Sequence, residues 1–446
     1  MSQLLFHSTN GQSPAVNLRE AFLRGQAPDR GLYFPQSVPK LAPDEISAFS
    51  KLPYHEIAFR VLRKFTEGIV PDDALAAMCH EAYNFPFAAR NHSRPYFFAA
   101  TGSRPDRVVQ RFCRANDGAI IRTIFARRKP ASHNSHGDER RPPARRSRTR
   151  FTTFPACVSL FCFRLPKSAT ARRKLMTTLR DNIRTVAIDG KFDDCQAMVK
   201  RAFADADLKH IPLSSANSIN IGRLLPQSVY YFYAASRLAK NGEPIVFSVP
   251  SGNFGDMMGA VVAREMGLPV KKIIASVNDN DSFPRFLASG VYQKISPSRN
   301  SVSNAMNVGH PSNLVRLLAV YGGQMDETGK IHKQPDLAAM RHDIFSSSIS
   351  DARTRAALKS FWDQYQLLLE PHGAVAWQGF QDWLATESLD GLPAVIVETA
   401  NPAKFPEEIQ KMMNWEPDVP ANMAASLKCR KILTGWTRIT RSSRLI

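Results

Sequence analysis

Long apolar runs are missing from this 446-residue chain: none reaches the roughly 18–20 residues that a membrane helix needs. The opening stretch, Met1-Ser2-Gln3-Leu4-Leu5-Phe6-His7, has neither a basic region nor an extended apolar segment, so it does not read as a signal peptide. Cysteine is scarce. The six cysteines, at 79, 113, 157, 162, 195 and 429, follow no metal-ligand spacing, and the interval from Cys157 to Cys162 is too wide for a redox CxxC pair. No metal site is expected, and reduced thiols in a cytoplasmic protein fit better than a disulfide framework. Neither a Walker loop nor a dinucleotide fingerprint occurs, and there are no internal repeats.

Acidic residues are the other shortage, 39 against 59 lysines and arginines, for a net charge of +20. Such a charge points toward nucleic acid or an anionic membrane. Its distribution says otherwise. Residues 101–174 hold 19 lysines and arginines against four acids, a net +15, so one block causes the imbalance. Within it, Arg140-Arg141-Pro142-Pro143-Ala144-Arg145-Arg146-Ser147-Arg148-Thr149-Arg150 has neither helix nor strand period and no interleaved aromatic. A structureless loop of that length is foreign to a compact α/β domain, and the block is expected to be disordered or mispacked.

The rest of the chain reads as an ordinary globular protein, 43% hydrophobic. Residues 1–90 suggest a compact helical region: Leu18–Leu23 and the amphipathic Tyr54–Leu62 have helical spacing, and Pro71-Asp72-Asp73 opens a further helix. Gly31–Pro35 reads as a turn into a short extended piece. Beyond residue 175, strands and helices alternate. Thr185–Ile188, Ile245–Val249, Lys272–Val277 and Pro393–Thr399 read as strands. Asp194–Phe203, Met257–Met266 and much of 353–385 read as helices. That rhythm implies a parallel sheet with helices on both faces, whose ligands sit at the carboxyl ends of the strands.

At one such end stands Pro250-Ser251-Gly252-Asn253-Phe254-Gly255-Asp256, between the Ile245–Val249 strand and the Met257–Met266 helix. Glycines let backbone N–H groups approach a phosphate, the helix N-terminus favours its charge, and Asn253 could donate to the same group. An ordinary βα turn has the same spacing. Asn217, Ser218, Asn220 and Arg223 are candidates for a second anion, Arg223 through its guanidinium fork. An Asx turn and helix cap account for the first three almost as well.

These runs together resemble the threonine synthase family, over residues 1–90 and 175–415. The resemblance lies in Ser8-Thr9-Asn10, Gly31–Pro35, Ile188–Gln196, Ser215–Asn220, Ser251–Asp256, Asn304–Asn313, Glu370–Ala374 and Glu398–Phe405. It implies a fold type II pyridoxal-phosphate (PLP) enzyme with parallel sheets flanked by helices in two domains, plus an N-terminal helical region. The implied division is 1–90, a small domain 91–174, a PLP-binding α/β domain 175–415, and a tail 416–446. By the same resemblance Ser251, Gly252, Asn253, Phe254, Gly255 and Asp256 hold the cofactor phosphate and Thr399 faces the pyridine nitrogen. Asn217, Ser218, Asn220 and Arg223 meet the substrate. The implied reaction converts O-phosphohomoserine and water into threonine and phosphate, in a monomer or homodimer with no membrane partner.

The chain departs from this family in one decisive respect. The family carries a His-Gly-Pro-Thr-x-x-Phe-Lys-Asp motif with the Schiff-base lysine, and later a Ser-Gly-Asp-Thr-Gly loop, and neither is present. No catalytic residue is therefore assigned; Lys167, Lys174 and Lys191, the nearest lysines, lie in no such motif. Synonymous codons for Ser103–Phe112, read from the second base, permit His-Gly-Pro-Thr-Val-Ser-Phe-Lys-Asp. Gly137–Arg140 permits Ala-Thr-Ser-Gly in the same frame. Pro142–Phe154, Ala171–Lys174 and Thr434–Leu445 give family-like runs in the third-base frame. Three slips near residues 102, 141 and 174 restore the frame at Leu175, so 102–174 and about 430–446 read as out-of-frame translation. Two alternatives stand beside an impaired threonine synthase: a dead relative that binds nucleic acid through block 101–174, and another fold type II PLP lyase.

Overall fold

The computed structural model describes residues 4–84, 217–240 and 242–419, the strands 88–91, 96–100, 159–164 and 183–188, and short pieces within 201–214. The expected helix at Asp194–Phe203 and the Arg140–Arg150 run lie outside the described residues, apart from a helical pair at 201–202. No helix among the described residues is long and apolar enough to cross a membrane.

Residues 4–84 are not wholly helical, as expected above. Strands β1 (Leu5–Ser8), β2 (Val16–Asn17) and β3 (Tyr33–Pro35) form an antiparallel sheet in the order β2-β1-β3. Helices α1 (Leu18–Arg24), α2 (Pro43–Ala48), α3 (Tyr54–Thr66) and α4 (Asp72–Ala82) accompany it. Here Ser8-Thr9-Asn10 meets the Gly31–Pro35 run. Asp29 accepts from the Ser8 hydroxyl at 2.6 Å and from the Gly31 N–H at 3.0 Å, and Thr9 Oγ1 accepts from the Leu32 N–H at 2.9 Å. Helix α3 buries Ile57, Ala58, Val61, Leu62 and Phe65, the stripe its spacing predicts. Cys79 of α4 is a core residue whose thiol burial pushes up to about 12.

The main sheet has six strands. Besides β4 (Ala88–Asn91) and β5 (Tyr96–Ala100) they are β8 (Ile245–Pro250), β9 (Val270–Val277), β12 (Ile344–Ser348) and β13 (Ala394–Glu398). Their order is β12-β9-β8-β13-β5-β4, parallel except for the β4–β5 pair. A second parallel pair joins β6 (Ser159–Arg164) to β7 (Ile183–Ile188) over six residues. The basic block, expected to be disordered or mispacked, thus contributes a paired strand, β6, among the described residues. Its run Ser159-Leu160-Phe161-Cys162-Phe163-Arg164 is the apolar part of an otherwise polar segment, which is why pairing is found there.

Every residue of β8 is buried, as a central strand covered on both faces requires. Phe247 and Val249 point into one core with α5 (Ile221–Leu238) and α6 (Gly255–Glu265); Val246 points into the other with α10 (Asp351–Tyr365) and α11 (Pro371–Leu384). Tyr231 of α5 stands edge-on to Phe247 at 4.9 Å, and Ser248 donates to the Ala376 carbonyl of α11 at 2.7 Å. Helices α7 (Ser282–Ser289), α8 (Leu314–Val320) and α9 (Leu337–Asp343) follow β9, with a hairpin of β10 (Gln324–Met325) and β11 (Ile331–Lys333) between the last two. Helix α12 (Pro406–Met413) closes the described part. Parallel pairing sends Pro250, Val277 and Glu398 out at one edge of the sheet, and the site is built there.

Candidate cofactor and anion site

The turn after β8 is narrow because its neighbours leave no room for side chains. A Cβ at Gly252 would lie 2.8 Å from Met306 Cα, and one at Gly255 would lie 3.0 Å from Ser218 Cβ. Phe254 takes a left-handed conformation, φ 61°, which is strained for a residue with a Cβ. Its ring is 2% exposed and edge-on to Phe283 at 4.9 Å, so apolar burial offsets the strain. The helix begins at Gly255, two residues earlier than its apolar spacing suggests. Its first N–H groups have no partner within the helix and face the carboxyl edge of the sheet.

The side chains of this loop are less free than the sequence implies. Ser251 is buried and its hydroxyl donates to its own strand, at Val249 O, 2.9 Å away. Asn253 does not point its amide wholly outward: Nδ2 donates to Ser218 Oγ at 2.8 Å, and Oδ1 accepts from the Ser312 N–H at 2.6 Å. Asp256 turns away to Tyr231, whose hydroxyl donates to Oδ1 at 2.9 Å. Burial raises the Asp256 carboxyl to about 6, moderated by that hydroxyl. A carboxylate is in any case the wrong charge for an anion, so Ser251, Asn253 and Asp256 shape the cradle while backbone groups line it.

A second wall comes from 217–220 and from α8. Ser218 Oγ accepts from Asn253 and also from Asn313 Nδ2 at 3.1 Å; Asn313 Nδ2 donates to Asn253 O at 2.9 Å as well. Arg316, three residues on and therefore on the same helix face, is fully buried and donates to Ser218 O at 2.8 Å. Asn220 is not available to a substrate. Its Oδ1 caps α5 by accepting from Gly222 N at 2.9 Å, and its Nδ2 donates to Phe22 O at 2.8 Å and Ser214 Oγ at 3.4 Å. Asn217 is exposed and Arg223 half-buried, beside the same cap.

A third wall carries Thr399, at the end of β13. Its N–H donates to Glu370 Oε1 at 3.3 Å, with its hydroxyl 3.5 Å from the same oxygen. Glu370 is fully buried and caps α11, accepting from the N–H groups of His372 at 2.8 Å and Gly373 at 3.1 Å. Burial alone would raise its carboxyl; the His372 ring and those two N–H groups outweigh burial and hold it below the usual range. His372 Nδ1 meets Glu370 Oε2, while Nε2 accepts from the Ala305 N–H at 3.2 Å, which assigns the proton to Nδ1. Ala305 adjoins the Met306 that closes on Gly252. A continuous polar path, Ala305–His372–Glu370–Thr399, thus runs from beside the glycine loop to the residue expected at the ring nitrogen.

Glu370, His372, Ser312, Asn313 and Arg316 were not singled out from the sequence. The first four lie within the runs Glu370–Ala374 and Asn304–Asn313, so that signal was present; their roles depend on contacts between segments far apart in the chain. Among the described residues no three His, Cys, Asp or Glu are placed to hold a metal ion.

Residues 5–83 match the family model described as threonine synthase N terminus. The chain is 32% identical to threonine synthase of Pseudomonas aeruginosa, with 94% of this chain and 92% of that protein aligned. It is 32% identical to the Escherichia coli enzyme, with 92% and 91% aligned. The crystal structure of Escherichia coli threonine synthase superposes with a TM-score of 0.78 at 27% identity, over 98% of this chain and 97% of that one. A PLP-bound threonine synthase from Brucella melitensis gives 0.80 at 26%, over 99% and 97%. The architecture described above, helices on both faces of a parallel sheet, is that of the fold type II PLP enzymes.

Proposed function

The chain belongs to the threonine synthase family, and from that premise we propose that its site is built for the conversion of O-phosphohomoserine and water into threonine and phosphate. The observation that carries this reading is the joined pair of cofactor ends, the Gly252–Gly255 cradle and Thr399, at one edge of the sheet. The residues present fit PLP at both ends. Backbone N–H groups of Asn253 to Gly255 suit its phosphate, in a turn whose close packing on Met306 and Ser218 admits only glycine at 252 and 255. The Thr399 hydroxyl suits a neutral pyridine nitrogen. When bound, PLP supplies an electron sink for the carbanions formed at Cα and Cβ.

The chain's own residues then hold and orient. Glu370 holds Thr399 through its backbone N–H at 3.3 Å and through its hydroxyl at 3.5 Å, a long bond that the hydroxyl would give up to donate to a ring nitrogen. Asn217 and Arg223 stand at the amino end of α5, where a substrate phosphate or carboxylate would meet a helix N-terminus and a guanidinium, while Ser218 turns to the cradle through Asn253 and Asn313. Asn220 shapes that end as its cap. The reaction breaks the Cγ–O bond, forms a C–O bond at Cβ, removes protons at Cα and Cβ and returns protons to Cγ and Cα, which calls for an amine within hydrogen-bond reach.

That amine is what the sequence as written omits. Ala100 ends β5 opposite Glu398 in parallel register, so the chain leaves the sheet beside Thr399 and enters the basic block at that point. We propose that residues 102–174 and about 430–446 are an out-of-frame reading of a family sequence whose lysine is spread over the codons of Gln110 and Arg111. The same origin explains the +15 block, since shifted GC-rich codons yield arginine and proline. On this reading the protein is cytoplasmic and the chain as written binds PLP without turnover.

The test joins resequencing, peptide mass mapping and phosphate release from O-phosphohomoserine, with the chain as written beside a frame-restored one. Turnover is expected from the restored chain alone. Phosphate release by the unaltered chain, with Arg140–Arg150 intact in its mass map, would overturn the proposal.

A further inference from the structure

Arg316 is the largest charged side chain with no exposed surface. Its guanidinium donates only to neutral oxygens: Nε to Tyr33 O at 3.0 Å, Nη1 to Ser218 O at 2.8 Å and Asn313 Oδ1 at 2.6 Å, and Nη2 to Ile219 O at 2.7 Å. No Asp or Glu among the described residues pairs with it. Desolvation accordingly pulls it down to about 9, which still leaves it charged at neutral pH. Carbonyl dipoles soften a buried charge but do not cancel it, and an uncompensated one is strongly destabilising.

The bonded path out of Arg316 leads to the cradle. Asn313 accepts from Arg316 through Oδ1 and donates through Nδ2 to Ser218 Oγ. Ser218 Oγ already accepts a second donor, Asn253 Nδ2, so both its acceptor sites are filled and only its O–H proton remains to give. Among the described residues nothing takes that proton. Ser312 is 5% exposed, its hydroxyl has no partner among the described residues, and its N–H is held by Asn253 Oδ1. Two unspent hydroxyl donors thus flank a loop that opens the 11-residue helix α6, with a buried cation behind them.

We propose that Arg316 is a positioning residue that supplies the counter-charge of the phosphate cradle, acting through Asn313 and Ser218, and that the Ser218 and Ser312 hydroxyls donate to a phosphate monoester dianion held there. The proposal rests on reading Ser251–Gly255 as a phosphate loop. It goes beyond that reading by placing the selecting charge one residue layer behind the ligand, where it polarises donors without touching it.

The test uses the full chain and three probes: inorganic phosphate, PLP, and pyridoxal, which lacks the phosphate. The ratio of PLP to pyridoxal affinity is expected to fall about tenfold or more in Arg316→Met, and several-fold in Ser218→Ala and Ser312→Ala, which leave Arg316 in place. Phosphate should raise the melting temperature of the unchanged chain and not that of Arg316→Met. Arg316→Lys loses hydrogen bonds but keeps the charge, so its melting temperature should drop while its ratio holds. If Arg316→Met fails to fold, Arg316→Lys and the serine variants decide. A lowered melting temperature with an unchanged ratio, or equal loss in Arg316→Lys and Arg316→Met, reduces Arg316 to a structural tie and overturns the proposal. A chain stabilised by neither phosphate nor PLP overturns it too. Stabilisation by phosphate with no added affinity for PLP leaves the charge assignment standing and sinks the cofactor reading instead.

Discussion

Asp256 shows how much a single side chain's direction matters. From sequence it belongs to the phosphate loop, yet its carboxyl turns back to the Tyr231 hydroxyl and titrates near 6 instead of 3.8. The folded state therefore binds this proton more tightly than the unfolded chain does. The contribution to stability is complete below pH 4, is lost as pH rises toward 6, and is flat above. The shift corresponds to about 3 kcal/mol at most, and about 2 kcal/mol once the half-buried position of the residue as a whole is allowed for. Asp256→Asn, which cannot ionise, should be more stable than the parent by about that amount at pH 8, with the difference closing by pH 4. Urea midpoints at the two pH values measure it; an equal difference at both would mean that the carboxyl is not strained by burial.

Helix α11 illustrates the element scale. Its cap, Glu370, belongs to the site, while its body lies unusually close to the sheet. Gly373, Ala376 and Gly379 recur every three residues and make a smooth stripe. A Cβ on Gly379 would stand 1.8 Å from Ser276 Oγ and 2.7 Å from Ser276 Cβ; one on Gly373 would stand 3.0 Å from Glu398 Cγ. Gly379→Ala should therefore cost about 1–3 kcal/mol through overpacking, although alanine is the better helix former. Adding Ser276→Gly removes the nearest obstruction and should restore more than half of the loss in denaturant titrations. No recovery would place the strain elsewhere. Because α11 carries Glu370 and His372, a helix pushed off the sheet should also weaken PLP binding at Thr399.

At the scale of the whole molecule, the N-terminal sheet and helices are fastened across the proposed boundary near residue 90. Tyr83 donates to Pro226 O at 2.9 Å, Asn220 to Phe22 O, Arg316 to Tyr33 O, and the Leu41 N–H to Met266 O at 2.8 Å. One apolar cluster runs from Phe6 to Val397. Deleting residues 1–84 would uncover α5 and leave Arg316 and Asn220 with buried donors unmet, each costing about 1–3 kcal/mol. A chain that starts at residue 85 should lose cooperative unfolding and its response to phosphate together. A sharp calorimetric transition in that fragment would show the two regions to be independent.

Much of this was readable before any coordinates. Apolar runs and helical spacing place β8, β9, β13 and α6 to within a residue or two, and α3 at its start though four residues short at its end, because those elements are buried and burial is written into apolar spacing. The glycines at 252 and 255 announce a close approach, and the charge block announces a stretch unlike its surroundings. Of the N-terminal sheet only β3 was read, from the Gly31–Pro35 turn; β1 and β2 went unread because strands of two to four residues carry too little pattern. Partnership was also hidden. Asn220, Asn253 and Asn313 are alike in sequence, but one is consumed as a cap, one braces its own loop, and one carries a buried charge toward the ligand. An amide's hydrogen bonds are allotted by whichever groups folding brings within about 3 Å, and those partners range from the next turn to Phe22, which Asn220 reaches from the far side of the proposed domain boundary. Local pattern thus settles which elements form and where backbone must run close. Only the assembled sheet, with its parallel carboxyl edge, decides which polar groups are spent on the fold and which are left to bind.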